Sequence, residues 1–95
     1  TLLSGVQLLF AAFDERALNY CLPLLRRVRR AGIAAEVYPT PAKMKKQMAY
    51  ANANAVPFVA IVGDSEMDAG KVMLKNMITG EQRLMTIDEV VECLK

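Results

Sequence analysis

Two stretches, GVQLLFAAF at residues 5–13 and VPFVAIVG at residues 56–63, are apolar at nearly every position. A strand with one face in water alternates apolar and polar residues, whereas a strand covered on both faces does not. Two such strands therefore call for helices on both sides of a largely parallel sheet. Each run is followed by an acid, Asp14 and Asp64.

Asp14 stands where a helix N-cap belongs, since its carboxylate can accept from an early helical N–H. Leu18, Leu22, Leu25 and Val28 follow at helical spacing,. Arg26, Arg27, Arg29 and Arg30 crowd the end of that helix, where the dipole favours cations, and Gly32 supplies the stop,. Pro23 lies inside it and predicts a kink over residues 19–23. Residues 33–39 read as a second strand. Thr40, with Pro41 behind it, can cap a second helix over residues 42–54. Met44, Met48 and Ala51 form its apolar face, with Lys43, Lys45, Lys46 and Gln47 largely elsewhere on its surface. Residues 64–70 read as a connector with room for one helical turn. Residues 71–78 and 81–85 read as strands joined by a turn at Thr79-Gly80. TIDE, residues 86–89, matches a capping box for a short last helix carrying Val90, Val91 and Leu94,. The order β-α-β-α-β-β-β-α predicts one α/β domain with helices on both faces, right-handed crossovers and one strand forced antiparallel by the hairpin.

Composition narrows the chemistry. At 95 residues with 54% apolar content, the chain is long enough for one core without staples,. It contains no histidine, which removes Ser-His and Cys-His catalytic pairs,. Its two cysteines, Cys21 and Cys93, are too far apart in sequence for a CxxC, so a zinc site or disulfide framework is not expected,. Reduced thiols and a cytoplasmic location are the default. No apolar stretch approaches the roughly 20 residues of a membrane span. The first residue is Thr1, with no charged leader before an apolar block. This suggests a piece of something longer without a signal peptide,. A net charge of +2 does not by itself announce a nucleic-acid binder,.

GDSEMDAGKVMLKN, residues 63–76, invites a phosphate-loop reading and fails it. Gly63 and Gly70 are one residue too far apart, Val72 replaces the required hydroxyl, and Asp64, Glu66 and Asp68 would repel a polyphosphate,. Asp14 and Asp64, both at carboxyl ends of strands, could form a magnesium site of the phospho-receiver kind. The plainer reading is a helix cap and a loop residue. The Arg26–Arg30 cluster is either a solvated helix end or a phosphate-contacting patch. Lys43, Lys45 and Lys46 lie near Tyr38, Gln47, Tyr50 and Asn52. That mixture can hold single-stranded RNA through phosphates, stacking and amide hydrogen bonds, or it can be an ordinary polar helix face. The methionines read as fillers of core gaps, and both thiols as buried or idle.

Three stretches carry a resemblance. FDERALNYCLPLLRRVRRAGIAAEVYP looks like the first helical unit of the class II aminoacyl-tRNA synthetase anticodon-binding domain. KMKKQMAYANANAVPFVAIVGDSEMDAGKVMLKNMITGEQ looks like its second half. The run K-M-K-K-Q-M-x-Y-A-N, then VPFVAIVG, then AGKVMLKNM, is most similar to the histidyl version. The threonyl, prolyl and glycyl enzymes share the fold. The resemblance spans residues 5–94, so residues 1–95 are taken as a single anticodon-binding domain with an ordered core over 5–94. It implies a three-layer α/β/α fold with a mixed five-stranded sheet and one antiparallel strand.

The resemblance also implies a role. The anticodon loop of a tRNA, that of histidine tRNA in the histidyl case, is gripped at the sheet and its bordering loops. Glu66 would accept from a base edge, and Lys75 would donate to a base or phosphate. Lys71 would be structural or touch phosphate, and Thr40, Lys43 and Gln47 would approach the RNA from the start of the second helix. Acids so near RNA make sense as readers of base donors. Asn54-Ala55 departs from the more usual basic or glycine-containing turn. The domain itself would hold no cofactor, metal or catalytic residue. ATP, magnesium and histidine chemistry would belong to the rest of a homodimeric parent ligase, and the isolated piece could be monomeric. A synthetase-like regulatory or protein-interaction module is the alternative from another class.

Overall fold

Both apolar runs become interior strands. The computed structural model describes residues 5–38 and 43–95. Its elements are β1 (Leu8–Ala12), α1 (Glu15–Arg30), β2 (Ala35–Val37), α2 (Met44–Ala53), β3 (Phe58–Val62), α3 (Asp64–Ala69), β4 (Val72–Asn76), β5 (Gln82–Met85) and α4 (Ile87–Leu94). The sheet order is β2-β1-β3-β4-β5. β1 runs parallel to β2 and β3, and β4 is antiparallel to both β3 and β5. The expected mixed five-stranded sheet with one reversed strand is what forms.

The order explains the layers. The chain steps outward from β1 to β2, then returns across β1 to β3. Right-handed crossovers in opposite directions put α1 and α2 on opposite faces. Leu8, Phe10, Ala12, Ala60, Val62, Val72 and Leu74 pack on one side with Ala17, Cys21, Leu25 and Val28 of α1 and Val90 and Val91 of α4. Leu9, Ala11 and Val59 point the other way, against Ala51 of α2, Tyr38 and Val56. All five residues of β1 are buried. The three layers of the expected α/β/α fold are present.

Local chemistry sets the helix ends. Ala17 N–H donates to Asp14 Oδ1 at 2.8 Å, so Asp14 is the N-cap of α1,. Glu89 N–H donates to Thr86 Oγ1 at 3.2 Å, and Thr86 N–H donates to Glu89 Oε1 at 2.8 Å, closing the capping box of α4,. The Thr40 cap and Pro41 lie outside the described residues. Within them α2 starts after Lys43, with no side-chain cap bond.

Several details differ from expectation. The buried stripe of α1 runs through Ala17 and Cys21, with Leu18 only half-buried and Leu22 outside the core cluster. The small residues let the helix axis settle close to the sheet. Pro23 does lie inside α1, as expected, and the helix spans Glu15–Arg30 as one element. Pro23 and Asn19 are both exposed, so the turn that loses an N–H donor faces water,. The β4–β5 connection is longer than a two-residue turn. Asn76 N–H donates to Glu81 C=O, and Asn76 Oδ1 accepts from the N–H groups of Ile78 and Thr79. An Asn that can satisfy two loop donors favours this wider loop.

α1 and α2 end in the same hydrogen-bond pattern with different residues. Ile33 N–H donates to Val28 C=O with Gly32 at φ +93°, and Val56 N–H donates to Ala51 C=O with Ala55 at φ +54°. Gly32 occupies the left-handed region freely, whereas Ala55 is strained there. The departure from a glycine-containing turn is thus a stability defect. Ala55→Gly is expected to raise the unfolding free energy by about 0.5–1 kcal/mol, because relief of the left-handed strain exceeds the added chain entropy. Chemical denaturation of the two proteins checks this through a higher midpoint at unchanged slope.

Candidate nucleic-acid interface

The winding of the chain across the sheet reverses between the parallel strands β1 and β3, and Ala12 pairs with Val62 at their carboxyl ends. Open α/β sheets bind ligands in the crevice just beyond such a switch point. Phe13 and Asp14 leave β1 there, and Gly63 and Asp64 leave β3. Asp14 is committed to its cap. Glu66 folds back over α3 so that Gly63 N–H donates to its Oε1 at 2.7 Å. A methyl group on Gly63 would lie 3.1 Å from that oxygen and 3.7 Å from Phe13 Cε2, so glycine lets both side chains lie close over the backbone.

α3 is tied to α1 at both ends. Arg16 Nη1 lies 3.3 Å from Asp64 Oδ1, with both side chains well exposed, so the pair orients more than it stabilises,. Tyr20 Oη donates to Lys71 C=O at 3.1 Å, just after α3 ends. Burial holds the Tyr20 hydroxyl above its ordinary pKa, and the neighbouring Cys21 and Glu66 add to the shift. Burial alone pushes the Cys21 thiol up to about 12, which leaves it protonated and inert,.

On the opposite face, the side chain of Gln47 is fully buried, although its place in the sequence suggested a surface position. The reason lies in the sheet. Phe10 C=O, on the β2 side of β1, accepts from Tyr38 N–H. Two residues on, Ala12 C=O points the same way beyond the end of β2, and Gln47 Nε2 donates to it at 2.8 Å. Gln47 thus carries α2 onto the carboxyl end of β1. Lys43, one turn earlier, is exposed beside that end, as are Lys45 and Lys46.

Strands lie about 4.8 Å apart and a helix with its side chains is about 10 Å wide, so one helix covers roughly two strands. The α1 face has α1 and α4, with α3 at its edge adding Met67 to the same cluster. Among the described residues, the other face has only α2, which packs over β1. The α2 side of β4 and β5 is accordingly open. Leu84 there is 45% exposed, Gln82 is exposed, and Met73 and Lys75 are half-buried. Val72 and Leu74 point into the α1-side core, so the alternation of β4 turns Lys75 to the α2 side, between Val59 and Gln82,.

The expected contact residues therefore divide. Lys43 and Lys75 share the α2 side with Lys45 and Lys46. Glu66 and Lys71 sit at the carboxyl edge around α3, Gln47 is interior, and Thr40 lies outside the described residues. Of the aromatics considered for stacking, Tyr38 is buried and meets Tyr50 edge-on, with ring centroids 5.2 Å apart. Among the described residues, no group of three or more acids or cysteines could hold a metal ion. In the arginine cluster, Arg27 pairs with Asp88 at 2.9 Å and Arg29 donates to Ala35 C=O, both contacts of an ordinary helix end. No described helix is long and apolar enough to cross a membrane.

A family model described as "Anticodon binding domain" matches residues 6–95. The chain belongs to the anticodon-binding domain family. It is 55% identical over 92 residues to a histidine–tRNA ligase of Phocaeicola vulgatus, covering 97% of this chain and 20% of that protein. It is 53% identical over 91 residues to one from Bacteroides fragilis, covering 96% of this chain and 20% of that protein. The chain thus spans about a fifth of the length of these relatives. Among solved structures, S. aureus histidyl-tRNA synthetase superposes with a TM-score of 0.84 at 31% identity, covering 96% of this chain and 23% of that one. The RNA-binding domain of threonyl-tRNA synthetase from Cryptosporidium parvum superposes at 0.87 with 20% identity, over 94% of this chain and 22% of that one, a likeness of fold alone.

Two features of this anticodon-binding domain had no clear signal in sequence. Phe13, 37% exposed at the switch point, reads as the last residue of an apolar strand. The Tyr20–Lys71 bond joins residues 51 apart.

Two outcomes follow from the geometry. Gln47→Leu keeps the bulk of the side chain but leaves Ala12 C=O without the amide, and is expected to cost about 1–3 kcal/mol in denaturant unfolding. Glu89 is held below the ordinary glutamate range, first by the Thr86 backbone N–H, then by the Thr86 hydroxyl, with Lys71 and Arg83 adding to this. A lowered folded pKa contributes stability above the unfolded value, and that contribution is lost as pH falls through the folded one. The gap in unfolding midpoint between wild type and Glu89→Gln is therefore widest at neutral pH and closes on acidification.

Proposed function

We propose that this domain binds the anticodon loop of histidine tRNA as one domain of a longer histidine–tRNA ligase. The observation that carries the reading is the match over nearly the whole chain, at 55% identity, to proteins named histidine–tRNA ligase. The charge layout supports it. Lys43, Lys45, Lys46 and Lys75 give the α2 side cations for phosphates, and α2 contains no acid. Glu66 stands at the carboxyl edge, where a carboxylate reads base donors. Phosphate contacts supply affinity and base contacts supply choice.

In this reading Lys43 and Lys75 touch the RNA directly, Lys71 and Thr40 border it, and Gln47 acts from the interior. Catalysis, ATP and magnesium belong to the remainder of the parent, which works in the cytoplasm as a homodimer. The domain itself holds no cofactor and is monomeric alone.

An amide-shift titration with the histidine-tRNA anticodon stem-loop, beside a scrambled loop at the same salt, tests this. Shifts are expected at the carboxyl edge of β1 and β3, along α3 and at the start of α2, with weaker binding of the scrambled loop. Lys43→Ala should flatten the dependence of log K on log salt by about 0.7–0.9, one phosphate contact. Glu66→Ala should narrow the preference for the cognate loop. Equal binding of both loops by wild type, with shifts confined to Arg26–Arg30, would remove the anticodon reading and leave only electrostatic attraction to RNA.

A further inference from the structure

Phe13 is the first residue of its strand to leave the core. The five residues before it are buried, whereas Phe13 is 37% exposed, one of three large apolar residues so placed among the described residues. The other two, Ile78 and Leu84, lie on the hairpin loop and the far strand. Phe13 stands at the switch point, close to one side chain that RNA contact would need, Glu66. Its ring edge lies against Gly63, over which Glu66 Oε1 is also held, so aromatic and carboxylate are neighbours. On the other side, Ala12 C=O receives the Gln47 amide, and Lys43 lies one helical turn beyond Gln47. The carboxyl end of β1 therefore presents an apolar ring beside a hydrogen-bond acceptor, with a cation starting the helix that Gln47 anchors there. The tyrosines do not compete for this role, because Tyr38 is buried and Tyr50 is engaged with it.

We infer that Phe13 is the stacking platform of the site, holding one unpaired base of the loop by its face while Glu66 reads an edge and Lys43 holds the adjoining phosphate. Unpaired bases stack on aromatic side chains without regard to sequence, so Phe13 supplies affinity and orientation, and Glu66 supplies choice. The inference rests on the anticodon reading above.

The test uses the 95-residue chain and the histidine-tRNA anticodon stem-loop with 2-aminopurine replacing each loop base in turn. Wild type is expected to change the fluorescence of one position on binding. Phe13→Leu should abolish that change and weaken binding about 5- to 150-fold, with the salt slope intact. Phe13→Tyr should restore both, since it keeps the ring. If Phe13→Leu binds as wild type does while Lys43→Ala still lowers the salt slope, the platform is wrong and the anticodon reading stands. If neither variant alters binding, both fall. Should Phe13→Leu fail to fold, nuclear Overhauser contacts in the wild-type complex decide. Cross-peaks from the Phe13 ring to base protons support the platform, and their absence in a saturated complex overturns it.

Discussion

Burial of β1 on both faces is the constraint from which the rest of this molecule follows. A strand with no polar position must be covered above and below. In a chain this short, the cover has to come from the helices next to it in sequence. α1 leaves β1 and packs on one side. The next crossover returns over β1 and places α2 on the other. The point where the winding reverses is also where open α/β sheets place their ligands. Core formation and site formation are one event in this fold.

The same constraint accounts for the open strip on β4 and β5. With α2 covering β1, no other described helix lies on that face. The strands there compensate by composition, with Lys75 and Gln82 alternating with the apolar Met73 and Leu84. Such a strip tolerates water and can also meet a flat partner such as exposed bases. The opposite face gets a second helix, α4, and its strands carry Val72 and Leu74 fully inside.

Much of this was legible in the sequence because it depends on local rules. The two apolar runs, the Asp14 cap, Gly32 as a stop and the Thr86–Glu89 box each involve residues within a turn or a strand of each other. What was not legible depends on residues brought together from afar. Gln47 sits among lysines in sequence, and nothing local says that its amide is needed where β2 ends two residues short of β1. Leu22 satisfies helical spacing as well as Cys21 does. Only the closeness of α1 to the sheet selects the smaller residue. Phe13 fits its strand by pattern, and its exposure comes from β1 ending one residue earlier than the apolar run. The family was legible from longer joined motifs, whereas the division of contact residues between two sides of the carboxyl edge was not.

In the proposed function, the charges at that edge decide how RNA approaches. Asp14, Asp64, Glu66 and Asp68 are all acids near the carboxyl ends of β1 and β3, and a phosphate backbone laid across them would be repelled. Three of the four have a partner at one oxygen, beginning with Asp14 at the N–H of Ala17 and Asp64 at Arg16. Glu66 keeps one oxygen on Gly63 N–H. The lysines of α2 lie to one side of this row, and Lys75 lies on the same side. A loop entering with its phosphates over α2 and its bases turned toward α3 meets cations with its backbone and acceptors with its donors. The reverse orientation sets phosphates against Glu66 and Asp68. In the proposed reading, cations on α2 and acids on α3 set the polarity of binding, with α2 over one face of β1 and α3 packed against α1.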